Sequence, residues 1–98
     1  MMTEIVTFKL MPGVEDAGFI AKVTALIDDF IAQQKGFIKV QIAKDPVTSE
    51  WAAIHYFDTM ADDDAGIQNT RASEIWKQDT VNIDPATITR RQYEILVP

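Results

Sequence analysis

The spacing of apolar residues switches between a period of two and a period of 3.6 along the chain, and the order of those switches restricts the fold more than any single motif. Thr3 to Leu10 alternates, with Glu4, Val6, Phe8 and Leu10 on one side and Ile5, Thr7 and Lys9 on the other, as a strand requires. Met11-Pro12-Gly13 ends it, since proline fixes its own φ and glycine frees the next turn. From Glu15, apolar residues recur at three- and four-residue spacing: Phe19, Ile20, Val23, Leu26, Ile27, Phe30 and Ile31. This pattern predicts one helix running to Lys35-Gly36, where a cationic last turn would meet a left-handed cap.

Alternation returns at Phe37 to Lys44, and Asp45-Pro46 followed by Val-Thr-Ser-Glu is turn chemistry. Trp51 to Asp58 alternates next, so the two stretches predict an antiparallel hairpin. Thr59 stands where a helix cap is needed, three residues before Asp62, and Asp63 and Asp64 place further negative charge at the positive end of that helix. Gly66 and a thin stripe of Ala61, Ala65, Ala72 and Trp76 weaken this second helix, and a break is expected near Arg71 to Ser73, with Ser73 capping a further turn that carries Ile75 and Trp76. Asn82 to Pro85 reads as a loop, and Ala86 to Val97 as the last strand.

The order is βαββαβ. It predicts an α+β, ferredoxin-like single domain over residues 1–98, with a four-stranded antiparallel sheet and its helices on one face. The uncovered face would be partly apolar whichever it is, because both parities carry apolar residues, Val6, Phe8 and Leu10 with Ile5 on the first strand and Trp51 and Phe57 with Ile54 and Tyr56 on the third. Such a face calls for a partner, and a second copy related by a two-fold axis is the simplest one.

Composition narrows the function classes. A net charge of −6 works against nucleic acid, whose phosphates are bound through Lys and Arg. The absence of cysteine excludes disulfides, thiolate chemistry and Cys-ligated metal. With no basic region followed by a long apolar run near Met1, neither a signal peptide nor a membrane anchor is indicated, and a cytoplasmic location is expected. No glycine-rich phosphate loop, nucleophile elbow or metal-binding His pair is present, so neither a metal nor a cofactor is implied.

The chain resembles the antibiotic biosynthesis monooxygenase-like family of the dimeric α/β-barrel superfamily. The likeness rests on Phe8-Lys9-Leu10-Met11-Pro12-Gly13, Lys35-Gly36-Phe37, Tyr56-Phe57-Asp58-Thr59 and Tyr93-Glu94. It implies a homodimer whose two sheets form a barrel, with a small-molecule pocket in each subunit between sheet and helices. It also implies cofactor-independent oxygenation of polycyclic aromatic substrates or oxidative breakdown of haem. The haem-degrading branch uses an Asn on strand one, a Trp late in strand three and a His on the second helical region. Val6, Phe57 and a histidine-free Ser73 to Thr80 stand at those places here, which disfavours haem degradation.

His55, the only histidine, is the candidate catalytic base, because an imidazole titrates near neutrality and can take a proton from a phenolic substrate. A hydrogen-bonded histidine of the sheet or of a dimer interface is the alternative. Parity groups His55 with Trp51, Ala53 and Phe57 but leaves open which face they share; the resemblance implies the helix side. Trp51, Phe57, Trp76, Val6 and Phe8 are the candidate pocket residues, although core packing explains large aromatics equally well. The Asp62-Asp63-Asp64 run reads as helix-start charge, and Arg90 and Arg91, on opposite faces of the last strand, as surface residues, one of them in reach of a carboxylate across a dimer.

Two functions follow as expectations. One is a cofactor-free, monooxygenase-like homodimer acting on a small aromatic or quinone-like molecule. The other is a non-catalytic homodimer that binds or senses a small hydrophobic ligand.

Overall fold

The computed structural model describes all 98 residues. Met2–Leu10 forms β1, Asp16–Asp29 α1, Phe37–Lys44 β2, Trp51–Phe57 β3, Met60–Ala72 α2, Glu74–Asp79 α3 and Ile83–Glu94 β4. The order is the expected βαββαβ with the second helical segment divided in two, and the sheet runs β2-β3-β1-β4, antiparallel throughout. The chain therefore has an α+β, ferredoxin-like fold.

Register decides which side chains share a face. Glu4 pairs with His55, Ile5 with Ile54 and Phe8 with Trp51 across β1 and β3. On the other side Glu4 pairs with Gln92 and Val6 with Arg90. The face that carries Met2, Glu4, Phe8, Trp51, Ala53 and Phe57 is buried. Phe8, Phe19, Trp51 and Ala53 form one core cluster beneath α1, with the Phe19 ring edge-on to both Phe8 and Trp51, at 5.7 and 5.1 Å between centroids. Ile5, Ile54, Tyr56 and Tyr93 lie on the opposite face, which no helix covers.

Three boundaries depart from the sequence pattern. The helix from Asp16 stops at Asp29, and Ile31–Gln33 continues as a 3₁₀ turn, because Phe30 leaves helical geometry at φ −131°. Lys35 and Gly36 are thus not its last turn. Gly36 does take positive φ, +78°, but it serves the entry to β2, where its carbonyl accepts from the Asp58 amide at 2.8 Å. The last strand begins at Ile83 rather than Ala86 and ends at Glu94 rather than Val97. Thr87 and Asp84 fix its irregular start, since the Thr87 hydroxyl accepts from the Lys9 amide where the β1–β4 register shifts.

Both helix caps form as their residues predict. Thr59 Oγ1 accepts from the Asp62 amide at 3.1 Å, and Ser73 Oγ accepts from the Trp76 amide at 3.2 Å. Gly66, costly by propensity, has a packing reason: a Cβ there would lie 3.3 Å from the Phe57 ring. The glycine lets α2 lie close over the end of β3, which brings the acidic start of that helix down onto the sheet. No helix is long and apolar enough to cross a membrane.

Candidate functional site

Between the sheet and the three helices lies a cavity of about 150 Å³. Val6, Phe8, Val40, Ile42, Ala53 and Phe57 form its floor, and Phe19, Leu26, Ile67 and Trp76 contribute from the helices. The breaks after Phe30 and Ala72 keep the helical layer from closing as two straight rods, and the short α3 carries Trp76 to the wall. Of the residues singled out by pattern, His55, Val6, Phe8, Phe57 and Trp76 all lie on this lining. Trp51 does not. It is 4% exposed, packed against Phe19, with the Lys44 ammonium 5.4 Å from its ring centroid and held by Asp16 at 2.7 Å. Trp51 is a core residue because Phe8, its partner across the ladder, places it under the start of α1, beyond the cavity.

His55 occupies the helix side of the sheet, at the polar end of the cavity. Its backbone carbonyl accepts from Thr3 Oγ1 at 2.9 Å, whereas its imidazole has no hydrogen-bond partner in the protein. Burial pushes its pKa below the ordinary histidine value, partly offset by the negative charge of Asp63 and reinforced by Arg90. The ring is therefore neutral at physiological pH, with a nitrogen lone pair free to accept a proton.

Beside it stands a group of charged residues. Glu4, His55's partner on β1, is 1% exposed, and Asp63 on α2 is fully buried. Arg90 on β4 reaches diagonally across the sheet, its Nε donating to Glu4 Oε1 and its Nη2 to Asp64 Oδ1 at 3.2 Å, while Asp63 lies 3.8 Å away. Gln92 Nε2 donates to Asp63 Oδ2 and Asp64 Oδ1, both at 2.7 Å. Two oxygens are left over: Glu4 Oε2 and Asp63 Oδ1 are buried without a partner. Burial and the neighbouring Asp63, against the opposing pull of Arg90, push the Glu4 carboxyl up to about 8. Glu4 thus holds its proton at neutral pH, the usual outcome when two carboxyls share a site with too little positive charge.

These contacts correct two sequence readings. Asp63 and Asp64 do more than charge a helix start, since Asp63 turns inward onto the sheet. Arg90, although exposed, does more than sit at the surface, for it is held by three carboxyl groups of its own chain. One signal for the cluster was present in the sequence, for Glu4 is the only charged residue on the Val6, Phe8 and Leu10 parity of β1. A carboxylate on a buried strand face requires a partner. No group of three or more His, Asp or Glu residues is placed to hold a metal ion.

No protein-family model and no curated protein matches the chain. Solved structures do. SnoaB, a cofactor-independent oxygenase from Streptomyces nogalater, superposes with a TM-score of 0.71 at 13% identity, over 99% of this chain and 94% of that one. A structure described as an antibiotic biosynthesis monooxygenase gives 0.70 at 14% identity over the whole of both chains. PA3566 from Pseudomonas aeruginosa gives 0.68 at 16% identity, over 98% of this chain and 94% of that one. At such identities it is the fold that is shared. Over its whole length the chain has the fold of antibiotic biosynthesis monooxygenase-like proteins.

Proposed function

We propose that the protein is a cofactor-independent monooxygenase acting on a small hydroxylated aromatic molecule, with His55 as the base. The observation that carries this reading is the neutral, unpartnered imidazole of His55 at the polar end of a mostly apolar cavity. A site of that kind orients a flat ring by shape and leaves one group to exchange a proton with it. The cavity, about 150 Å³, is of a size known to hold a single benzene ring when dry. One ring or two fused rings suit it better than a tricyclic system.

1-Naphthol, with two fused rings and one hydroxyl, is a substrate of this kind. His55 takes the phenolic proton, and the anion, now electron-rich at the para carbon, transfers one electron to dioxygen. Recombination of the two radicals forms a C–O bond at that carbon, and the imidazolium returns the proton to give a hydroperoxide. Loss of water from the hydroperoxide yields 1,4-naphthoquinone, so one naphthol and one dioxygen become one quinone and one water. SnoaB, described as a cofactor-independent oxygenase, lends support through the shared fold.

Oxygen uptake with naphthols tests the reading. His55→Ala is expected to lower the rate by about a hundredfold or more, the usual contribution of a positioned base. Equal rates in parent and variant would remove His55 from the mechanism. Absence of turnover by the parent, together with binding of the same aromatics, would favour the non-catalytic ligand-binding reading, which the apolar walls formed by Val6, Phe8, Phe57 and Trp76 also support.

A homodimer belongs to the same proposal. The uncovered sheet face carries Ile5, Ile54 and Tyr56, together with Tyr93, which is 46% exposed, and beyond it Leu96 and Val97 are more than four-fifths exposed. A second copy would bury them.

A further inference from the structure

We infer that Glu4 is a second catalytic residue of this site: it is the acid that protonates the departing hydroxide when the hydroperoxide collapses to a carbonyl. The inference rests on the oxygenase reading and supplies a part that reading lacks. Conversion of an H–C–O–OH group to C=O and water needs a base at the carbon and an acid at the distal oxygen together. His55 is the base of this site, and an acid must stand within reach of the same ligand.

Geometry selects Glu4. It lines the cavity, lies directly opposite His55 in the β1–β3 ladder and is 1% exposed. Its Oε1 is occupied by Arg90 Nε, and its Oε2 and Asp63 Oδ1 are both buried with no donor to satisfy them. With Oε1 held by Arg90, Oε2 is the Glu4 oxygen left to carry a proton to a ligand, and a second buried carboxyl beside it, that of Asp63, opposes the loss of that proton. The charged groups around that proton are His55 from β3, Asp63 and Asp64 from α2 and Arg90 from β4. Three carboxyls facing one guanidinium and a neutral imidazole favour retaining it. Arg71 and Asp79 also line the cavity; Asp79 Oδ2 is likewise buried without a partner and burial raises its pKa, but Asp79 is the last residue of α3, at the end of the helical layer, whereas Glu4 is the acid paired with His55 in the ladder.

In the step itself, His55 takes the proton from the carbon that bears the peroxide. The C–H electron pair becomes the second bond of the carbonyl, the O–O bond breaks, and hydroxide leaves with the Glu4 proton as water. The imidazolium and the Glu4 carboxylate that remain return to their starting states by transfer of one proton, so no proton is gained or lost over the cycle.

The test separates the two steps with Glu4→Gln, which keeps size and hydrogen bonding but carries no acidic proton. Naphthol turnover is followed by oxygen uptake and, in parallel, by iodide assay for hydroperoxide and absorbance for quinone. The expected result is a ratio of quinone formed to oxygen consumed reduced about a hundredfold, with hydroperoxide accumulating in its place. In the parent, quinone formation is expected to fall above about pH 8, the region in which Glu4 ionises, while His55, whose pKa lies below the ordinary value, does not titrate there. This readout needs no variant. Quinone formed by Glu4→Gln at the parental rate, without hydroperoxide, would overturn the role of Glu4 and leave His55 and the oxygenase reading standing. No oxygen uptake by the parent would overturn both.

Discussion

Glu4 and His55 face each other across the β1–β3 ladder on the helix side of the sheet, a neutral acid beside a neutral base. Each group is displaced toward its uncharged form by the same cause, burial, acting in opposite directions on an acid and on a base. At neutral pH the pair costs less to bury than two charges would, and both remain able to exchange a proton. The arrangement depends on strands that do not follow one another in sequence and on an α2 start pressed onto them.

Stability should depend on Glu4 with a definite sign. Its folded pKa, about 8, is above the unfolded value of 4.5, so the folded state binds more protons between those limits. The contribution is complete below about pH 4.5 and is lost as pH rises toward about 8, where the loss is on the order of a few kcal/mol. Urea unfolding at about pH 5.5 and about pH 8.5 is expected to show the parent weakening across the interval and Glu4→Gln weakening far less. Parallel pH dependence in the two proteins would show that Glu4 does not hold a proton in the folded state.

For His55 the window lies lower. Its folded pKa is depressed from 6.5 by burial, so the stability it supports is present above about pH 6.5 and lost as pH falls below it. Proton NMR of the single imidazole is expected to show a midpoint below that of a free histidine, and addition of an aromatic ligand should move the ring signals. A midpoint at or above the ordinary value would contradict the desolvated site.

Two glycines should respond to alanine in opposite directions. Gly18, exposed in α1 with nothing near its missing Cβ, should gain about 0.5 kcal/mol from helix propensity. Gly36 has φ +78° and the Asp62 side chain in the path of a Cβ, so Gly36→Ala should lose about 2 kcal/mol or more from backbone strain and crowding. Thermal or urea midpoints read both changes. A neutral Gly36→Ala would mean that the turn into β2 is looser than its geometry indicates.

The dimer is tested by mass in solution. Sedimentation at micromolar concentration is expected to give about twice the 11.0 kDa of one chain. Ile54→Lys, on the uncovered face opposite Ile5, should return the mass to that of one chain without unfolding it. A monomeric parent would remove the sheet-to-sheet association.

Most of the fold was legible in the sequence because period and caps are local properties. Alternation over Thr3 to Leu10 and Phe37 to Lys44, the Thr59 and Ser73 caps and the break after Ala72 follow from side-chain direction and the needs of helix ends. The ends of α1 and β4 were less legible. Phe30 and Ile31 keep helical spacing after the backbone has left the helix, and Leu96 and Val97 alternate without a strand to pair with.

Along the Trp51 to Phe57 strand, alternation alone puts Trp51, Ala53, His55 and Phe57 on one face, because successive strand residues point to opposite sides. Packing, not pattern, turns this face to the helices, sends Trp51 into the core and His55 to the cavity, and gathers Glu4, Asp63 and Arg90 beside it. The reason is physical: parity is set by covalent geometry, whereas the company a side chain keeps depends on strand register and on how closely a helix can approach. Here the small Gly66 over Phe57 allows α2 to bring Asp63 against Glu4, from residues almost sixty positions apart in the chain.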